Sequence, residues 1–224
     1  MEKIWGWGTP AGRIRAERRV EMIARGANLQ AGMRVVEIGC GTGLFTELLT
    51  RLGAHVTAVD LSPDLLNLAR GRGLDPSTVT FVQGRFEECD LSGAFDAVVG
   101  SSVLHHLEVA PALCKARAVL RSGGTIAFAE PNMLNPQIAL QKNVPLLKRW
   151  AGDSPDETAF FRCGLKRALE AAGFVDAHVT PFDWLHPATP RPLIALVSGI
   201  GAVIERVPLL REFAGSVVCR ATAP

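Results

Sequence analysis

From Met33 onward the chain alternates short β-branched runs with segments of helical periodicity. That is the pattern of a parallel sheet whose strands are joined by crossover helices. The runs place seven strands, at Arg34–Ile38, His55–Val59, Val79–Val82, Phe95–Gly100, Thr125–Ala129, Phe174–Thr180 and Ser216–Ala221. The expected architecture is α/β: a doubly wound, mostly parallel seven-stranded sheet with helices on both faces. At 224 residues the chain has room for one such domain but not for two joined by a linker. Ser62-Pro63-Asp64 predicts a helix start, with a capping side chain followed by proline in the first turn. Ser154 and Glu157 have capping-box spacing ahead of a helix ending near Gly173. The run Arg121 to Gly124 reads as a helix stop, with Gly123 beyond the last turn.

Three stretches fall outside the alternation. Residues 1–30 form an N-terminal helical cap in which Trp5 and Trp7 precede Arg13, Arg15, Arg18 and Arg19. Residues 131–153 insert after the fifth strand, with a helical stretch from about Gln137 to Trp150. Residues 187–212 separate the last two strands, which a short turn ordinarily joins. This third stretch, from Leu193 to Ile204, is apolar nearly all round and is expected to be buried, as a lid over an acceptor pocket or in a partner interface; membrane contact is the lesser option.

Composition narrows the partners. Apolar residues make up 48% of the chain, too many for intrinsic disorder. A net charge of +2 is far from the basic balance that nucleic acid requires. The five cysteines are scattered singly, which speaks against a disulfide framework or a zinc site and makes reduced thiols in a cytoplasmic protein the default. Neither a signal peptide nor a bilayer-spanning run is indicated.

The chemistry concentrates where Val35-Val36-Glu37-Ile38 runs into Gly39-Cys40-Gly41-Thr42-Gly43 and then a helix, Leu44 to Leu52. Glycines there permit a tight turn and close approach of a ligand to the backbone. A dinucleotide fingerprint would need its third glycine at position 44, where Leu44 stands, so nicotinamide and flavin are disfavoured. Asp60, ending the second strand, is placed to accept both hydroxyls of a ribose.

This ordered set resembles the class I S-adenosylmethionine-dependent methyltransferases. The likeness covers roughly Arg34 to Phe174: Glu37-x-Gly39-x-Gly41-x-Gly43, then Asp60, then Phe95 to Val99 with Leu104-His105-His106-Leu107, then Leu120 to Gly124. It implies a Rossmann-like methyltransferase fold and S-adenosyl-L-methionine as cofactor. Glu37, Gly39, Gly41 and Gly43 would lie around its methionine and ribose, Asp60 on the ribose hydroxyls and Leu61 against the adenine. Many members carry an acid beside the glycine after the third strand; here Gly84 is followed by Arg85, Phe86 and Glu87. Phe86 could stack on adenine, or pack in the core, and Glu87 could replace the missing acceptor.

Methyl transfer from a sulfonium is an in-line displacement, so the protein mainly aligns the acceptor and excludes water; a hydroxyl acceptor also needs a base. Ser101 and the following residues leave the fourth strand at its carboxyl end, where ligands bind in open sheets. His105, and second His106, are the candidate bases; the alternative for each is a histidine held by the backbone at a helix start. Glu130 and Asn132 end the fifth strand at the same rim, either touching cofactor or acceptor or forming a turn. Arg13 or Arg19, beside Trp5 and Trp7, could clamp a carboxylate or phosphate, or simply line a solvated helix face. No carboxylate cluster for magnesium is visible there, so no metal is expected. The resulting expectation is methylation of a small biosynthetic molecule, with oxygen first. The alternatives are nitrogen or carbon transfer on an apolar or lipid-linked acceptor, such as an isoprenoid quinone, or a non-catalytic cofactor-binding module.

Overall fold

The computed structural model describes residues 6–151 and 158–224. Its strands are β1 (Arg34–Ile38), β2 (His55–Asp60), β3 (Val79–Gln83), β4 (Phe95–Ser101), β5 (Leu120–Pro131), β6 (Val175–Phe182) and β7 (Ser216–Thr222). They form one seven-stranded sheet in the order β3-β2-β1-β4-β5-β7-β6. Every pairing from β3 across to β5 is parallel, while β7 lies antiparallel between β5 and β6. The helices are α1 (Pro10–Gly26), α2 (Leu44–Arg51), α3 (Pro63–Arg70), α4 (Val109–Val119), α5 (Pro136–Asn143), α6 (Pro145–Ala151), α7 (Arg162–Ala171), α8 (Ile194–Ile204) and α9 (Pro208–Arg211).

Alternation along the strands builds a core on each side of the sheet. Val36, Val98, Ile126 and Phe128 face one cluster; Val35, Ala97, Val99 and Ala127 face the other. Both sets are buried, which is why the strands read as continuous apolar runs. The chain winds outward from β1 to β3, then returns to place β4 on the other side of β1. The crevice at the carboxyl ends of β1 and β4 is therefore the switch point of the sheet.

Ser62 caps α3, accepting from Leu65 N–H at 3.3 Å, and α2 opens at Leu44 as its sequence indicates. Other boundaries differ. α4 stops at Val119 because Leu120 is already extended and begins β5. The β4–β5 register shifts between Phe95 and Ala97, so Arg121–Gly124 form an irregularity within a strand. Gly123, at φ +74°, donates to the Ala223 carbonyl there; it turns a strand and does not stop a helix. The helix expected from Gln137 to Trp150 is two, divided before Pro145, which has no N–H and disfavours helical geometry in the preceding residue.

The capping box at Ser154–Glu157 lies outside the described residues. The helix that follows begins only at Arg162, because Phe160 is extended and forms a parallel bridge to Asn132. In the single chain α8 is covered on one side. Only Ile194 and Gly201 are buried, and Leu196, Ile200 and Val203 remain 60%, 51% and 59% exposed.

Candidate active site

The turn after β1 is held by its backbone. Gly39 and Cys40 both donate to the Val59 carbonyl, at 2.8 and 3.1 Å, binding the turn to the end of β2. Gly39, Gly41 and Gly43 all have positive φ, at 67°, 54° and 77°, a region costly for other L residues. A side chain at Gly39 would also place its Cβ 2.5 Å from Val103 Cγ2. The glycine turn and the segment after β4 are therefore in direct contact.

Asp60 bridges two backbone donors: Gly41 N–H to Oδ2 at 2.7 Å and Ser62 N–H to Oδ1 at 2.9 Å. Each oxygen keeps a second lone pair, so the carboxylate braces the turn and can still accept two further hydroxyls. Leu61 beside it is 64% exposed, an apolar platform at the crevice edge. Glu37 sits deeper, fully buried, and accepts from the Thr46 hydroxyl at 2.5 Å, which ties β1 to α2. Burial pushes its carboxyl up to about 7 against the hydrogen bond, which acts the other way.

At the end of β4, Ser102 adopts φ +55°, and the chain enters a short three-ten turn, Leu104–His106. Glu130 organises that turn from beneath. It is fully buried; its Oε1 accepts from the N–H groups of Val103 and Leu104, and its Oε2 lies 2.6 Å from His105 Nδ1. A carboxylate already accepting two N–H groups takes a third from Nδ1–H, which leaves Nε2 as the basic nitrogen of His105. His105 is itself 8% exposed, whereas His106 is exposed, with ring centroids 4.1 Å apart. Of the two rings, that of His106 is the more accessible.

Arg19 is 3% exposed and reaches across three strand ends. Its Nη1 donates to Ser101 Oγ and Ser102 Oγ, at 3.1 Å each, and to the Ala129 carbonyl, while Nη2 donates to Ser216 Oγ. Burial, then the neighbouring Arg15, lowers its pKa to about 10, opposed by Asp183 and Glu130. Arg15 bonds Asp183 Oδ2 through Nε at 2.9 Å and Nη2 at 2.8 Å. Asp183, like Ser102, is a non-glycine residue at positive φ, here 77°. Trp7 covers both guanidinium groups, each 5.4 Å from its ring, and meets Phe45 of α2 edge-on at 5.4 Å.

These contacts redefine several expected roles. Arg19 joins β4, β5 and β7 to α1 and is not available as a clamp; Arg13 is exposed on α1. Asn132, fully buried, donates to the carbonyls of Glu212 and Ala214 and does not stand on the rim. Phe86 is 2% exposed in the core cluster with Val59 and Cys89, which removes it from adenine stacking. Arg85 points outward and pairs with Glu88 at 3.3 Å. Both oxygens of Glu87 are buried with no hydrogen-bond partner among the described residues. Trp5 lies outside the described residues. Sequence reading gave Arg15 and Ser102 no role of their own and passed over Asp183 and Ser216; the signal for Arg15 was its i, i+4 spacing with Arg19 on one helix.

The irregular stretches converge over this crevice. Thr9 Oγ1 donates to the Pro187 carbonyl, Gln137 Nε2 lies 2.9 Å from His186 Nε2, and Asn135 Nδ2 donates to the Phe213 carbonyl. Arg18 pairs with Glu205 at 2.5 Å. A separate open groove of about 690 Å³, lined by Val20, Ala24, Leu48 and Leu52 among others, contains none of the candidate residues.

Residues 36–128 match the family model described as a methyltransferase domain. Among curated proteins the chain is 38% identical over 114 residues to a ubiquinone biosynthesis O-methyltransferase of Xanthomonas oryzae pv. oryzae, and 37% over 113 residues to that of Xanthomonas campestris pv. campestris. The alignments cover 49% of this chain and 48% and 47% of those proteins, so the chain spans about half the length of the curated relatives it matches. A solved S-adenosylmethionine-dependent methyltransferase from Thermotoga maritima, a possible histamine N-methyltransferase, superposes with TM-score 0.67 at 20% identity, over 94% of this chain and 92% of that one. Phosphoethanolamine N-methyltransferase 2 of Haemonchus contortus gives 0.70 at 15%, over 98% of this chain and 55% of that one. At such identities the structural likeness speaks for the fold alone. The matched segment spans the glycine turn, Asp60 and the histidine turn, so this part of the chain is similar to the methyltransferase domain.

Proposed function

We propose that this protein transfers a methyl group from S-adenosylmethionine to a hydroxyl oxygen of a small, neutral, largely apolar biosynthetic molecule. The observation that carries the reading is the contact between the two halves of the crevice, with Val103 of the histidine turn packed on Gly39 of the cofactor turn.

The residues present fit the cofactor. Gly39 and Gly41 leave its approach free of side chains, Asp60 has lone pairs for the ribose hydroxyls, and Leu61 offers an exposed apolar surface to the adenine. The buried, unpartnered carboxylate of Glu87 suits an amine donor such as that of adenine. The bound cofactor supplies the methyl electrophile and its neutral thioether leaving group. The protein supplies alignment, and His106 accepts the hydroxyl proton as the oxygen–methyl bond forms. His105 and Glu130 act beneath it as positioning residues, holding the turn and the neighbouring ring in place.

Oxygen as the acceptor atom is supported by the relatives named O-methyltransferases. A neutral acceptor is supported by the arginines: Arg15, Arg18 and Arg19 already face Asp183, Glu205 and the strand-end hydroxyls. The test is incubation with radiolabelled cofactor and an organic extract of biosynthetic intermediates. Label should move into an alkali-stable, organic-soluble methyl ether; label only in volatile methanol or only on amines would refute the oxygen reading, and binding without transfer would indicate a cofactor-binding module.

A further inference from the structure

We propose, on the hydroxyl-acceptor reading above, that Ser102 is a catalytic residue: it donates a hydrogen bond to the acceptor oxygen as that oxygen loses its proton, with Arg19 behind it as the positioning residue. Ser102 follows β4 at the carboxyl rim of the sheet, and the next residue, Val103, packs on Gly39 of the cofactor turn. Its φ of +55° is a strained conformation for serine. The other non-glycine residues at positive φ among those described are Asn28, Asp176 and Asp183, of the types that tolerate this region. What holds Ser102 there comes from elsewhere in the chain. Its N–H donates to the Ala129 carbonyl at 2.8 Å, and its Oγ accepts from Arg19 Nη1, 83 residues away, at 3.1 Å.

The bond from Arg19 decides where the serine proton goes. An oxygen that accepts from a guanidinium N–H turns its own O–H away from it, and among the described residues no group accepts that proton. Ser102 is half-buried, so its hydroxyl is not sealed off from the crevice. Accepting a charge-assisted bond also makes the O–H a stronger donor. Nη1 donates to neutral oxygens, those of Ser101, Ser102 and Ala129. Asp183 approaches Arg19 at Nε, 3.9 Å away, and is held more closely by Arg15 at 2.8 Å. Glu130, the other carboxylate acting on Arg19, is bonded to Val103, Leu104 and His105. In the transfer step the acceptor's O–H proton passes to His106, its electron pair forms the O–CH3 bond, and the pair of the broken S–CH3 bond stays on sulfur. Negative character builds on the acceptor oxygen before the new bond removes it. A donor fixed in advance at that oxygen stabilises this stage more than it does the neutral hydroxyl. Ser102 keeps its proton throughout.

The test uses 4-nitrophenol, whose absorbance reports its ionisation, bound to the full chain saturated with S-adenosylhomocysteine. The bound probe should ionise at least about one pH unit below the free one, a preference of about tenfold or more for the phenolate. Ser102→Gly removes the hydroxyl and suits positive φ; it should raise the ionisation of the bound probe by at least about one pH unit, with melting temperature and cofactor affinity close to wild type. Ser102→Asn tolerates the same φ, can accept from Arg19 through its carbonyl and can donate through its amide, so it should restore most of the shift. A serine that served only to bind Arg19 would leave the probe's ionisation unchanged in Ser102→Gly, and that result overturns the proposal. So does failure of 4-nitrophenol to bind. Loss of cofactor affinity in Ser102→Gly with the probe unmoved also overturns it, and would place the hydroxyl on the cofactor. None of these measurements uses methyl transfer, so failure of Ser102 here and failure of the oxygen reading in the labelled-extract experiment are separate results.

Discussion

The two sides of the crevice are built in opposite ways. The cofactor side is assembled from short-range pieces: a turn between β1 and α2, a carboxylate ending β2, and backbone N–H groups that bind them together. The acceptor side is assembled from residues far apart in the chain, such as Arg15 with Asp183 and Thr9 with Pro187. On the first side backbone N–H groups hold the turn, and glycine is needed because a Cβ at Gly39 or Gly43 would press on Val103 or Ala69 at positive φ. On the second, long charged side chains neutralise each other under an aromatic cover. This division explains how one cofactor scaffold can serve unlike acceptors: the distant pairs can change without touching the turn.

The comparison breaks most readily at the histidine turn, where the two sides meet. His106→Ala is expected to lower turnover by about 10²–10⁴-fold while leaving cofactor affinity within experimental error of wild type. Equal losses in cofactor binding would mean that the turn belongs to the cofactor side. His105→Ala and Glu130→Gln should instead lower thermal stability along with turnover, because each leaves buried polar groups without their partner.

Next in size is the ion pair on the acceptor side. Asp183→Ala leaves Arg15 and the buried Arg19 without their carboxylate, and the cost of an uncompensated buried charge is about 3–5 kcal/mol. Denaturant unfolding should show that loss, and cofactor titration of the folded fraction should show almost none. A variant of wild-type stability would mean that this network does not hold the cap.

Asp60→Ala sharpens the other half. Loss of hydroxyl partners should weaken cofactor binding by about 1–3 kcal/mol, tenfold to a hundredfold, measured by calorimetry. The acceptor KM, taken at saturating cofactor, should remain nearly constant; a large rise in that KM would contradict the separation of the two sides. Tight binding of NAD by wild-type protein would argue against the assignment of this turn altogether.

The smallest effect concerns Glu37. Burial raises its carboxyl from 4.5 to about 7, so between these values the folded chain holds a proton that the unfolded chain has lost. Stability from this group is full below pH about 4.5 and declines as pH rises through about 7, by an amount on the order of a few kcal/mol. Glu37→Gln keeps an acceptor for the Thr46 hydroxyl and should flatten this part of the pH–stability curve; an unchanged slope would assign the dependence to another group.

Legibility followed the same division. The apolar runs, the glycine turn, Asp60 and the capped start of α3 could be read directly, because period, φ preference and capping are local properties of a few adjacent residues. Glu130 was recognised as standing at a strand end, but not as facing inward, since the direction of a carboxylate depends on the Val103 and Leu104 N–H groups of another segment. The arginines of α1 were seen as a group. Whether they met solvent, ligand or Asp183 could not follow from spacing, because their partner lies 168 residues away.

α8 shows the limit most clearly. Its all-round apolar sequence implies burial, and the tertiary structure buries one side only, leaving the other facing outward. Sequence by itself determined the sheet, its winding and the cofactor turn, because each depends on local geometry repeated along the chain. The relative exposure of the two histidines, the neutralisation of the buried arginines and the exposed face of α8 were decided by tertiary structure, because burial and charge pairing depend on which distant surfaces meet.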